Sequence, residues 1–126
     1  MHVLILDCLT AGDGQRIFSR DFIGIGPRIV AGFIEQISNK KITTTVIRGE
    51  EILSNNPKSK KLLEKADIIG ISAMSIDLGI VKKLYQRIYP SSPKKKAMQS
   101  PENPRLTLLG GPITNDPCIL DQVPFD

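Results

Sequence analysis

Residues 2–28 read HVLILDCLTAGDGQRIFSRDFIGIGPR, and three kinds of sequence follow one another within them. His2–Asp7 is a near-continuous apolar run. A strand with one wet face alternates, whereas a strand covered on both faces, as in a parallel sheet, reads as an unbroken run. From Cys8 to Arg28 no period is visible. About twenty residues is long for a connection inside a compact domain, and loops of that length are usually functional or disordered. This one holds Gly12, Gly14, Gly24 and Gly26, together with Asp13, Arg16, Arg20, Asp21 and Arg28. Pro27 suits the first turn of a helix. Ile29, Val30, Phe33, Ile34 and Ile37 then recur at helical spacing, which places a helix at about 27–38. A strand that runs into a long glycine-rich loop and then a helix puts that loop at the carboxyl end of a parallel sheet, lining a ligand site.

The rest of the chain repeats the alternation. ITTTVIR (42–48) is rich in β-branched residues and reads as a second strand. Residues 50–56 read as a loop or a short helical turn. Asn56-Pro57 is a cap and first-turn signal for a helix to about Ala66, with Leu62 and Leu63 as its buried points. DIIGIS (67–72) is a third apolar strand. Asp77 stands where it would cap a helix carrying Ile80, Val81, Leu84, Tyr85 and Ile88 as one stripe. Pro90–Pro104, rich in Pro, Ser and Lys, reads as a mobile surface connection. RLTLL (105–109) is a fourth strand, ended by Gly110-Gly111-Pro112, and Asn115 or Asp116 caps a short helix at about 117–122. Strand and helix in strict alternation predict an α/β fold with right-handed crossovers. The expected form is a flavodoxin-like doubly wound parallel sheet of strand order 2-1-3-4. A fifth strand is expected after Val123-Pro124-Phe125-Asp126, so it is missing or truncated, and residues 1–126 are expected to be the N-terminal part of a longer chain.

Composition narrows the function classes. Apolar content of 40% and charged content of 24% describe an ordinary globular chain of 126 residues, one domain by length. With no Trp and few aromatics, Ile, Leu and Val must supply the core. The net charge of +4 lies largely in Lys58–Lys65 and Lys94–Lys96. Such runs read as solvated lysines rather than a nucleic-acid surface. Cys8 and Cys118 have no CxxC spacing, and no signal peptide precedes them, so a reduced, cytoplasmic setting is expected. No stretch approaches the roughly 18 apolar residues of a membrane span.

Ligands of open α/β sheets bind outside the carboxyl ends of the strands, where the strand order reverses. Between strands one and three this presents Asp7, Cys8 and the long loop, then Ser72-Ala73-Met74, and beside them Gly110-Gly111. The glycine pair fits either a tight turn of positive φ or an open space where a flat group passes close to the backbone. Ser72 offers a hydroxyl. Gly24 to Arg28 could hold an anion at a helix start, although the pattern is neither a Walker loop nor the dinucleotide fingerprint. Cys8 reads most simply as a small buried residue at a strand end. His2 is the single histidine, so there is no clustered metal-ligand set and no Ser/His/Asp arrangement. Taken alone, this chain carries no visible catalytic apparatus.

Asp7-Cys8-Leu9-Thr10-Ala11-Gly12, Ser72-Ala73-Met74 and Gly110-Gly111 resemble the three signatures of cobalamin-binding domains: Asp-x-His-x-x-Gly, Ser-x-Leu and Gly-Gly, in that order on a flavodoxin-like sheet. TAGDGQRIFSRDFIGIGPR (10–28), ISAMSIDL (71–78) and LLGGPI (108–113) look most like the N-terminal domain of archaeal radical S-adenosylmethionine proteins. The resemblance implies a cobalamin site made by Asp7, Cys8, Leu9, Thr10, Gly12, Ser72, Ala73, Met74, Gly110 and Gly111. The corrin would face the long loop, and its nucleotide tail would enter beside the glycine pair with Ser72 hydrogen-bonded to it. Leu9 stands at the position of the family's cobalt-ligating His. An aliphatic side chain cannot coordinate cobalt, so the implied mode is His-off. Met74 replaces Leu, a small apolar change. The implied partner is a radical S-adenosylmethionine domain, in the same or another chain, whose Cys-x-x-x-Cys-x-x-Cys iron–sulfur motif is absent here. The resemblance thus implies an accessory module, possible support for methyl transfer, and no cleavage of S-adenosylmethionine by this chain alone. Two other readings remain open: a flavodoxin-like interaction domain without cofactor, and a flavin or nucleotide site on the Gly12–Gly14 and Gly24–Gly26 backbone.

Overall fold

Four short strands form one sheet, ordered β2-β1-β3-β4. They are β1 (His2–Asp7), β2 (Thr43–Arg48), β3 (Ile68–Ser72) and β4 (Leu106–Gly110). All three pairings are parallel. The structure, a computed structural model, describes residues 1–8, 23–54, 56–90 and 105–123. The strand order 2-1-3-4 with helices on both faces is the flavodoxin-like arrangement expected from the alternation. Among the described residues β4 is an outer strand of the sheet, with β3 as its neighbour. The proline-rich connection lies outside the described residues from 91 to 104, as do residues 9–22 of the first loop and the last three residues.

The two sheet faces differ in how they are covered. Leu4, Leu6, Ile69 and Ile71 point to one side, where Ile52, Val81, Leu84, Ile88, Ile113 and Ile119 complete the main core. That side carries α2 (Gly49–Leu53), α3 (Pro57–Lys65), α4 (Leu78–Ile88) and α5 (Pro117–Leu120). The stripe of α4 is buried at all five expected positions, from Ile80 to Ile88. Each fully buried aliphatic side chain of this kind contributes about 1.5–3 kcal/mol relative to exposure. Asn56 caps α3 as its type suggests, its side-chain oxygen accepting from Lys58 N–H at 2.9 Å. Leu62 and Leu63 are only half-buried against the core, and Ser59, which donates to the Glu51 carbonyl, is the buried residue of α3. The lysines at 58, 60, 61 and 65 are exposed.

The other face carries α1 (Ile25–Ile37) and a much smaller cluster: Val3, Ile5 and Ala31, with Ile34, Ile42, Val46 and Ile68 against them. The Glu35 carboxylate fastens α1 to β2, accepting from both the N–H and the hydroxyl of Thr44, at 2.8 and 2.7 Å. These bonds hold the Glu35 carboxyl below its ordinary range, the Thr44 hydroxyl contributing most and the Thr44 N–H next.

α1 buries only a small part of its apolar surface. Its sheet-facing residues are Pro27, Ala31 and Ile34. Ile25, Ile29, Phe33 and Ile37 are between 59% and 76% exposed. The apolar repeat therefore marked the helix correctly, but most of its members face outward. Arg28, Gly32, Glu35 and Gln36 share one side of the helix, and among the described residues nothing covers its outward apolar residues.

Candidate functional site

The sheet register brings three distant stretches into one row. Asp7 pairs with Ser72, and Ser72 pairs with Gly110. Two hydrogen bonds carry the ladder past the strand ends: Cys8 N–H donates to the Ser72 carbonyl at 2.8 Å, and Ala73 N–H to the Gly110 carbonyl at 3.0 Å. Paired residues of a parallel sheet share a face, so Asp7, Ser72 and Gly110 all lie on the α1 side. Below them in register come Ile5, Gly70 and Leu108, then Val3, Ile68 and Leu106.

A groove of about 510 Å³ runs along this face between α1 and the strands β1, β3 and β4. Its walls include Pro27, Val30 and Ile34 of α1 and Leu108 of β4. Gly70 is the middle of its floor, with Ile5 and Leu108 on either side in the row. A side chain at Gly70 would stand directly in the groove, while its Cβ would meet only Ile5 Cγ1 at 3.8 Å. Ser72, Gly110 and Gly111 line the end of the groove at the carboxyl ends of the strands.

The two glycines of the pair are glycines for different reasons. Gly111 has φ 94° and ψ −176°, and a Cβ there would lie 2.5 Å from the Ala73 carbonyl oxygen. It is the turn that leads from β4 into the 3-10 turn Pro112–Asn115. Gly110 is extended strand, and the nearest heavy atom to its Cβ position is the Ile71 carbonyl oxygen at 4.0 Å. Among the described residues nothing requires a glycine there; its missing side chain leaves space in the groove. The tight turn of positive φ is thus at Gly111, and the space beside β4 is at Gly110.

Asp7 is fully buried and accepts a hydrogen bond of 2.6 Å from Gly24 N–H, directly before α1. It brings a carboxylate to the start of the helix, where the macrodipole favours negative charge. The Gly24 N–H, one of the groups an anion at this helix start would use, is taken by that carboxylate. Cys8 and Ala73 belong to the main core on the opposite face, and the Cys8 thiol is enclosed there close to Leu84 and Gly49. Neither side chain reaches the groove. Met74 is exposed beyond the end of β3. Its N–H donates to the Asp77 carboxylate at 2.8 Å, and Asp77 N–H returns to the Met74 carbonyl. Asp77 stands at the N-cap position of α4, but its carboxylate accepts from Met74 N–H and ties the 3-10 turn Ser75–Asp77, with no side-chain cap bond to α4. Leu9, Thr10 and Gly12 lie outside the described residues.

Sequence reasoning missed Gly70 and the α1 residues Val30 and Ile34 as groove wall. A glycine in the middle of an apolar strand marks a close approach of a ligand or another backbone, and DIIGIS carried that signal. Among the described residues there is no group of three or more His, Cys, Asp or Glu side chains placed to hold a metal ion. No helix among them is long and apolar enough to cross a membrane.

No protein-family model matches the chain, and no solved structure matches it. The chain is 36% identical over 126 residues to Uncharacterized protein MJ1620 of Methanocaldococcus jannaschii. The match takes in all of this chain and 21% of that protein, so the chain spans about a fifth of the relative's length.

Proposed function

We propose that the chain is a cobalamin-binding module in the His-off mode, accessory to a radical S-adenosylmethionine domain in the same or a partner chain. The observation that carries this reading is the groove under α1, open beside Gly110 and floored by Gly70. A long, flat heteroaromatic tail needs such a slot at the carboxyl ends of the strands, and a Cβ at either glycine would narrow it. Ser72 lines the same end and supplies a hydroxyl to the tail. Gly111, which lines the same end, turns the chain out of β4 there. Asp7 fixes the start of α1, the helix that forms the other wall. When bound, cobalamin supplies a carrier for a methyl group. The protein side chains bind and orient it, and no His at position 9 ligates the cobalt.

The experiment is a titration of the chain with hydroxocobalamin and with methylcobalamin, followed in the visible spectrum. The expected result is a saturable complex whose spectrum lacks the signature of imidazole ligation, with Leu9→His introducing it. A yellow chromophore retained through purification would favour the flavin reading instead. A folded chain that alters neither cobalamin spectrum would favour the cofactor-free interaction domain.

A further inference from the structure

The two faces of the sheet differ in what lies over them. The main-core face carries α2, α3, α4 and α5, and its outer surface holds the exposed lysines of α3 with Lys83 and Arg87 of α4. The other face carries α1. Of the ten large apolar residues that are strongly exposed among the described residues, five belong to α1 and two, Leu106 and Leu108, to β4. α1 sits to one side of its face. Glu35 fastens it to Thr44 of β2, and Ala31 packs with Val3 and Ile5 of β1. Among the described residues the strip over β3 and β4 is left open, floored by Ile68, Gly70, Leu106 and Leu108. Two neighbouring strands span about 10 Å, the diameter of one helix with its side chains. Helix residues turn by about 100° each. With Glu35 on the β2 side, Phe33 and Ile37 therefore face the open strip, and Ile25 and Ile29 face away from the sheet. Gln36 borders that outward row at the last turn.

We infer that the open strip is covered by α1 of a second copy of this chain, in a face-to-face dimer. A two-fold axis parallel to the strands, running between the two sheets, lays each α1 over its own β1 and β2 and over β3 and β4 of the other copy. The two helices then lie side by side. Phe33 and Ile37 meet the other helix, and Ile25 and Ile29 meet the other sheet. One patch thus fits itself, as a two-fold interface requires. The exposed apolar area on α1 and β4 is on the order of 800 Å² per copy, which is what each side of a standard stable interface buries. The lysine-bearing faces point away from each other in this arrangement, and Arg28 and Glu35 lie on the β2 side of α1, so the net charge of +4 offers little resistance. Pairing of two copies through the edge of β4 alone would leave the outward row of α1 in water. The inference goes beyond the cobalamin reading and does not depend on it. Where a tail fills the groove, the second helix cannot, so cobalamin and the second copy exclude each other.

Sedimentation equilibrium of the chain from about 1 to 500 µM is the test. The expected result is a monomer–dimer equilibrium with a dissociation constant on the order of 10 µM, so that dilute chain is monomeric. Phe33→Glu and Leu108→Glu should each weaken it by about tenfold or more, with circular dichroism showing a folded chain, while Lys60→Glu on the opposite face leaves it unchanged. Cys118 is the exposed cysteine and Cys8 is buried. In a Cys118→Ser chain, Ile37→Cys should therefore be joined to its copy by a short bismaleimide, and Lys60→Cys should not. A chain that stays monomeric throughout would overturn the inference. So would a dimer that survives Phe33→Glu, which would place the contact at the β4 edge or elsewhere. Saturating methylcobalamin should shift the dimer to monomer, and cobalamin bound to an intact dimer would overturn the placement of the second helix in the groove. If methylcobalamin does not bind, the cobalamin reading fails, and the concentration series and the variants decide the dimer.

Discussion

Replacing Gly111 with alanine should destabilise the fold by about 2–6 kcal/mol, whereas the same change at Gly110 should leave stability within about 1 kcal/mol. The figures follow from the geometry at each residue. Gly111 sits at φ 94° and ψ −176°, a region essentially confined to glycine, and a non-glycine residue there costs about 1–3 kcal/mol. Its Cβ would also lie 2.5 Å from the Ala73 carbonyl oxygen and 3.2 Å from the Ala73 nitrogen. Both atoms are backbone, so the end of β3 or the following turn must move, an overpacking cost of about 1–3 kcal/mol. At Gly110 the nearest atom is 4.0 Å from the Cβ position, and alanine reduces the freedom of the unfolded chain. Urea unfolding of both variants measures the difference. The midpoint should fall sharply for Gly111→Ala and stay nearly fixed for Gly110→Ala, with the slope unchanged in each. For a chain of this size the thermal midpoint of Gly111→Ala should drop by roughly 10 °C. Equal stability of the two variants would refute the division of labour within the pair.

Three other outcomes follow from the packing. Leu84→Ala removes a fully buried side chain of α4 and should cost about 2–5 kcal/mol in the same urea assay. Replacing Ile29 and Phe33 together by serine should leave the unfolding midpoint nearly unchanged, because both are mostly exposed, while lowering self-association in sedimentation experiments. Glu35 gives a pH dependence. Its carboxyl is held below the ordinary value of 4.5, so its stabilising effect is complete above that value and is lost as pH falls through the lowered one. The stability difference between wild type and Glu35→Gln should therefore be largest near neutrality and shrink in acid.

The fold was legible because β1 is buried at all six of its positions and β3 beside it is apolar from end to end but for one glycine and its last serine. HVLILD and DIIGIS read as unbroken apolar runs, and the parallel β1–β3 pair occupies the middle of the sheet. The buried stripe of α4 was equally plain, since one face meets the core and the other meets solvent. α1 was legible as a helix but not in its burial. Its apolar arc is wider than the part that meets the sheet, so periodicity could not say which of its members are buried, and Pro27 and Ala31 prove to be the buried pair. Helix α2 was legible only as a loop or turn, being five residues long and packed against α4. Within the site, the row Asp7, Ser72, Gly110 was legible from strand order. The bond from Gly24 to Asp7 was not, because the two lie 17 residues apart across the long loop. The separate roles of Gly110 and Gly111 depend on backbone dihedrals that adjacent identical residues cannot reveal. Leu9 and the loop to residue 22 lie outside the described residues.

The central claim is that the slot beneath α1 seats the tail of a cobalamin. Equilibrium dialysis of the folded chain against methylcobalamin at high micromolar concentration tests it most directly, with Gly110→Val dialysed alongside. The account predicts saturable retention of one cobalamin per chain and a marked loss of retention in the variant. Retention no greater than that of an unrelated folded protein would contradict it.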